Sequence, residues 1–198
     1  RRFGFDRDPE QNKASLLLEL IPGCTLEQAI LTADQETLEN ALFIFQETLM
    51  EIWNSTKLEQ ASQTDYIKQI LERKDSVLQV HPQFNKKSKT INNLYVNSLE
   101  KLLEQAHSME QKIYAPFQVF IHGDLNINNI VYNHNDQKVH FVDLYRSKYY
   151  DYVQDLSVFL ISNFRLPVFE KNTRVRIKKY IKDVLACSRE FAKQNRDK

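Results

Sequence analysis

The sequence predicts an α+β fold, mainly α-helical, with a small β-hairpin set among the helices and a second hairpin leading into them. Three observations carry that expectation. Apolar residues recur at three- and four-residue steps over long stretches, the spacing that puts them on one helix face. Short runs rich in Val, Ile and Phe at 119–121, 130–132 and 138–142 are separated by polar turns, as strands are. At the start of the chain, two further strand-like runs flank a polar turn.

Taken in order, Arg2-Phe3-Gly4-Phe5 and Ser15-Leu16-Leu17-Leu18-Glu19-Leu20 read as a hairpin closed through Asp6, Asp8, Pro9, Glu10 and Asn12. Ile21-Pro22-Gly23 is a connector, and Thr25 with Gln28 three residues on is a helix-start signature. Leu38, Leu42, Phe45, Leu49, Ile52 and Trp53 form one apolar stripe, with Glu39, Gln46, Glu47 and Glu51 between them. A second helix is expected through Tyr66, Ile67, Ile70, Leu71, Val77 and Leu78. A polar loop follows over Pro82 to Thr90, with Lys86, Lys87 and Lys89. Leu94, Val96, Leu99, Leu102, Leu103, Ala106 and Met109 predict a third helix that ends before Pro116, and a last helix runs from about Asn172.

Composition bounds the function. The 198 residues are enough for one sizeable core, and 42% are hydrophobic. A net charge of +1 gives no bulk attraction to nucleic acid or to a membrane surface, and neither is expected as a partner. Cys24 and Cys187 are far apart and lack metal-type spacing, which reads as free thiols in a reducing compartment. With no eighteen-residue apolar run and no signal-peptide pattern, the expected location is cytoplasmic. Asn54-Ser55-Thr56 fits a helix terminus better than a glycan acceptor.

The chemistry is concentrated in Val119-Phe120-Ile121-His122-Gly123-Asp124-Leu125-Asn126-Ile127-Asn128-Asn129-Ile130-Val131-Tyr132, an apolar strand, a polar loop and another apolar strand. Phosphoryl transfer needs a carboxylate to take the proton of the attacking hydroxyl and, a few residues on, an amide oxygen to hold magnesium. Asp124 and Asn129 have that spacing. With one His, one Asp and two adjacent Asn in the loop, His122, Asp124, Asn128 and Asn129, four fixed positions match by chance in about one window in 10⁵. The strand Lys138-Val139-His140-Phe141-Val142-Asp143 follows a turn over 132–137 that folds it back beside Ile130–Tyr132, bringing Asp143 next to Asn129. Two hard oxygen ligands make a sensible partial magnesium shell. Asp155-Leu156-Ser157 then leads into an apolar helix.

These three pieces, in this order, resemble the aminoglycoside phosphotransferase and choline kinase-like superfamily. The resemblance implies Asp124 as catalytic base, Asn129 and Asp143 as metal ligands, Asp155 as a buried anchor for the catalytic-loop backbone, and His122 as a buttress of the metal-site strand. It implies ATP and Mg2+ as cofactors, with adenine resting on a hinge near Glu19 and Ile21, and a hydroxyl-bearing small molecule as acceptor. It also implies a division of the chain. Residues 1–23 would be the last hairpin of an N-terminal lobe plus the hinge. Residues 24–198 would be the helical C-terminal lobe, with catalytic loop 119–132 and metal-site strand 138–143.

A kinase of this kind also needs a nucleotide-covering loop and a strand lysine. The three glycines, Gly4, Gly23 and Gly123, form no glycine-rich loop. The expectation is a chain that lacks most of the smaller lobe and is inactive by itself, with Leu16, Leu17, Leu18 and Leu20 on an exposed hinge strand open to self-association. The alternative is a non-catalytic kinase-like binding or scaffold module, against which the intact Asp124, Asn129 and Asp143 argue. Gly123 stands where protein kinases have arginine, and Leu144-Tyr145 where they have Phe-Gly, which disfavours a protein kinase.

Other residues read less sharply. Lys171, Arg174, Arg176, Lys178, Lys179 and Lys182 fit a solvated helix face better than an anionic-substrate patch. His81, His107, His134 and His140 lack mutual metal spacing. Asp151 fits either the acceptor site or a helix N-terminus. Arg146 fits a phosphate contact or a salt bridge to a nearby acid.

Overall fold

A computed structural model describes residues 2–85 and 87–197. In chain order the elements are β1 (Arg2–Asp8), β2 (Lys13–Leu18), β3 (Cys24–Thr25), α1 (Leu26–Thr32), α2 (Gln35–Ser55), α3 (Tyr66–Val80), β4 (Lys89–Ile91), β5 (Leu94–Val96), α4 (Leu99–Glu110), β6 (Val119–Ile121), β7 (Ile130–Asn133), β8 (Lys138–Phe141), β9 (Lys148–Tyr150), α5 (Val153–Phe164) and α6 (Lys171–Gln194). About half of the chain is helical, and the small sheets confirm the α+β class.

Helices α2, α5 and α6 pack together in the core, which α1, β6, β7 and the loop between those strands complete. The predicted stripe on α2 is buried at Leu38, Leu42, Phe45, Leu49 and Trp53, while Ile52 is only partly buried. Phe45 stacks on Phe159 of α5 at 4.9 Å, and Trp53 packs against Phe191 of α6 and Tyr152 at 5.3 and 5.1 Å. Such pairs add about 0.5–1.5 kcal/mol each beyond the area they bury. Thr25 caps α1 in a full capping box with Gln28, as expected. The helix α2 ends at Ser55, where the Thr56 hydroxyl donates to the Ile52 carbonyl, so the Asn54 triplet is a helix terminus.

The leading hairpin β1–β2 forms antiparallel, and Leu16, Leu17, Leu18 and Leu20 are all exposed. The stretch beyond α3 departs from expectation. The loop placed over Pro82 to Thr90 contains a 3-10 turn at Pro82–Phe84, and Lys89–Ile91 pairs with Leu94–Val96; Lys86 lies outside the described residues. Leu94 and Val96 are therefore strand residues, and the third helix starts at Leu99 behind the Ser98 cap. The reason is Asn92-Asn93, both at positive φ (46° and 63°), a two-residue turn that asparagine tolerates.

Two pairings set the frame of the polar loop. The β7–β8 hairpin forms as read, with Ile130 opposite Phe141, and β3 joins its other edge. Gly23 enters β3 at φ +124°, and a Cβ there would meet the Tyr132 carbonyl at 2.2 Å. The strand β6 pairs with β9, so the chain before the loop is tied to the chain after β8. No helix among the described residues is long and apolar enough to cross a membrane.

Candidate active site

The loop after β6 is held from below by one carboxylate. Asp155 Oδ2 accepts from the His122 N–H at 2.7 Å, and Oδ1 from the Gly123 N–H at 2.8 Å. Asp155 is buried in the first turn of α5, where the helix dipole favours an anion. Burial nevertheless pushes its pKa up to about 6, and the two backbone hydrogen bonds only partly oppose that.

The His122 ring spans the site. Its Nδ1 accepts from the Asp124 N–H at 3.3 Å, which leaves Nε2–H to donate to the Val142 carbonyl at 2.8 Å. His122 thus braces the chain just before Asp143. Gly123 has φ +81°, and an added Cβ would lie 2.4 Å from the Arg146 carbonyl oxygen, so only glycine fits. The Ser147 hydroxyl donates to the His122 carbonyl, and Gln154 Nε2 to that of Gly123.

Beyond Asp124 the loop is wound on its own side chains. Leu125 and Ile127 are buried, and Asn126 Oδ1 accepts from the Asn128 N–H. Asn129 Nδ2 donates to the Asp124 carbonyl at 2.9 Å, turning the amide oxygen away. The Val142 N–H donates to the Asn129 carbonyl at 3.0 Å, so Asp143 follows directly on a residue bonded to Asn129. Asp143 is exposed at φ 64°, and its carboxylate carries no hydrogen bond or ion pair among the described residues. Among those residues no three His, Cys, Asp or Glu side chains gather as a metal cluster. One amide oxygen and one open carboxylate still fit magnesium, which takes few protein ligands.

Asp124 lies where two clefts meet. One, of about 890 Å³, runs along α3; the other, of about 640 Å³, passes Asn126, Asn128, Ser157 and Arg165. Arg146 Nη1 sits 3.2 Å from Asp124 Oδ2, so the salt-bridge reading of Arg146 is the one observed. Neither Asn129 nor Asp143 lines these two clefts. Ile21 lines a separate apolar hollow of about 550 Å³ with His122, Phe141 and Leu144, and Glu19 is exposed on the chain before it.

Other side chains resolve as follows. Asp151 is buried, accepts from the Val153 N–H and receives the Tyr66 hydroxyl at 3.2 Å, which is the helix-terminus role. On α6, Arg174 donates to the carbonyls of Phe164 and Leu166, Arg176 to that of Ala33, and Lys179 pairs with Glu39 at 2.8 Å. Part of the basic run is therefore a set of ties. Sequence reasoning missed Gln154, and it missed Glu110, which caps the N-terminus of α3 from α4. Neither belongs to a motif, and both act across long sequence separations.

A loop whose backbone is clamped by the buried Asp155, and whose Asn129 carbonyl is bonded by Val142, the residue before Asp143, fits the protein-kinase-like superfamily that includes the aminoglycoside phosphotransferases, and the family match places the chain there. Residues 31–191 match the model of the ecdysteroid kinase-like family, and the chain belongs to that family. No curated protein matches it. Among solved structures it is similar to a glucosamine kinase in complex with glucosamine, ADP and inorganic phosphate, with TM-score 0.50 and 12% identity, covering 93% of this chain and 52% of that one. Crystal form B of glucosamine kinase gives TM-score 0.49 and 12% identity over 93% and 51% of the two chains. The chain therefore spans about half the length of the solved structures it matches, and the likeness is one of fold.

Proposed function

We propose that this chain is the larger, C-terminal lobe of an ATP-dependent phosphotransferase acting on a hydroxyl of a small molecule. The β1–β2 hairpin would then be the end of the smaller lobe, with adenine near Glu19 and Ile21. The observation that carries the reading is the position of Asp124, at the junction of two clefts and on a loop whose backbone Asp155 and Asn129 both hold.

In this reading Asp124 accepts the proton of the acceptor hydroxyl as that oxygen bonds to the γ-phosphorus, and the bond to the β-phosphate oxygen breaks with its electron pair leaving on ADP. Asn129 Oδ1 and Asp143 would hold magnesium, which supplies charge neutralisation on the phosphates when bound. Asp155 and His122 keep the loop from shifting, and small displacements cost rate steeply. Arg146 orients the Asp124 carboxylate from one side and leaves its other oxygen free.

Turnover is proposed to need nucleotide-covering elements outside these 198 residues, because the three dispersed glycines form no phosphate loop. The test is phosphorylation of a panel of hydroxyl compounds with ATP and magnesium, by this chain and by a longer form carrying such elements. The longer form should turn over, and Asp124→Asn should lower its rate by about 10²–10⁴. Unchanged turnover in Asp124→Asn removes the residue from the base role, and robust turnover by the 198-residue chain overturns the need for added elements.

A further inference from the structure

We propose that the acceptor is an amphipathic hydroxyl compound, a largely apolar body that also carries an anionic group, received by Arg73 and Lys74. The inference rests on the phosphotransferase reading and extends it to the acceptor class.

The larger of the two clefts at Asp124 is a mainly apolar trough, walled by Ile70 and Val77 of α3, Phe84 and Val158. Its 890 Å³ is in the range of small-molecule sites, and such walls favour an apolar occupant. The charges in it are lopsided. Asp124 is the single carboxylate among the lining residues, against Arg73, Lys74, Arg146 and Lys148. Arg146 is engaged by Asp124, and Lys148 lies over the Tyr150 ring at 4.0 Å. Arg73 and Lys74 remain, with no ion pair or side-chain hydrogen bond among the described residues. Their acidic neighbours on α3, Glu72 and Asp75, do not line the cleft.

An amino sugar with several ammonium groups would meet three cations there, with the one carboxylate already paired. A neutral polyol would leave the apolar walls unmatched. An apolar compound with a hydroxyl at Asp124 and an anion at Arg73 and Lys74 satisfies both halves of the cleft.

The test is binding to the 198-residue chain by calorimetry at low salt, with three probes: cholate below its micelle concentration, the uncharged methyl ester of cholate, and the polycationic amino sugar kanamycin. Cholate should bind about fivefold or more tighter than its ester, which two solvent-accessible charge pairs supply. In Arg73→Gln/Lys74→Gln the two affinities should converge, and in Arg73→Glu/Lys74→Glu the order should invert. Kanamycin should not bind the native chain. Equal affinities for cholate and ester, a preference that survives both double variants, no binding of cholate, or a preference for kanamycin overturns the proposal. Phosphorylation of amino sugars without a cholate preference overturns the acceptor class and leaves the phosphotransferase reading standing. A cholate preference without Asp124-dependent transfer to any hydroxyl overturns that reading and leaves the selectivity of the cleft intact.

Discussion

Arg146 and Asp124 form an ion pair of 3.2 Å at the meeting point of the two clefts, with roughly a third of each side chain open to solvent. So exposed a pair adds little stability, and its effect falls on the orientation of the carboxylate. In a form of the protein that turns over, Arg146→Ala should lower kcat by about 10² while leaving the unfolding midpoint in place. Arg146→Lys, which keeps the charge without the planar fork, should recover part of the loss. Full kcat in Arg146→Ala would show that Asp124 needs no such partner.

Asp155 links the loop to pH. Its folded pKa of about 6 lies above the ordinary carboxylate value, so the folded chain holds more protons across that interval. The stability this group contributes is therefore present at low pH and is lost as pH rises through about 6. Asp155→Asn should remove that slope from urea-unfolding free energies measured between pH 4 and 7. At pH 7 it should also cost about 1–3 kcal/mol, because the amide turns a donor toward one of the two backbone N–H groups. An unaltered pH slope would rule Asp155 out as its source.

Gly123→Ala is expected to be costly. The new methyl would meet the Arg146 carbonyl in a backbone region disfavoured for alanine. A loss of about 2–4 kcal/mol in chemical denaturation is expected, together with weaker acceptor binding as the 144–147 turn is displaced. A loss below about 0.5 kcal/mol would mean that the turn yields freely.

The exposed leucines of the leading hairpin should associate. Sedimentation velocity of the 198-residue chain should show species heavier than a monomer that grow with concentration, and Leu17→Lys/Leu18→Lys should return it to a monomer. A native chain that stays monomeric at high concentration would show that this surface is tolerated in water.

Much of the helical fold is legible because its cause is local. The α2 stripe and the Thr25–Gln28 box each lie within one or two turns, and the β7–β8 hairpin is closed by its own turn. The Asp155 anchor is legible through its motif. The α4 start was obscured because Leu94 and Val96 also fit the stripe that begins at Leu99, although their two-residue step and the Asn92-Asn93 pair point to a strand. The choice of Asp124 as the partner of Arg146, the β6–β9 pairing and the Glu110 cap depend on which distant segments meet, and no short-range pattern encodes that.

The β6–β9 pairing has a consequence for the site as a whole. Ile121 opposite Lys148 closes the neck of a single excursion of chain. Inside it lie His122, Asp124, Asn129, Asp143 and Arg146. The proposed base, metal ligands and orienting arginine thus lie on one excursion of chain and are not gathered from remote parts of the fold. Loosening that neck would act on all of them at once, so damage at the Phe120–Tyr149 pair, which carries none of the proposed chemistry, should register across the whole constellation.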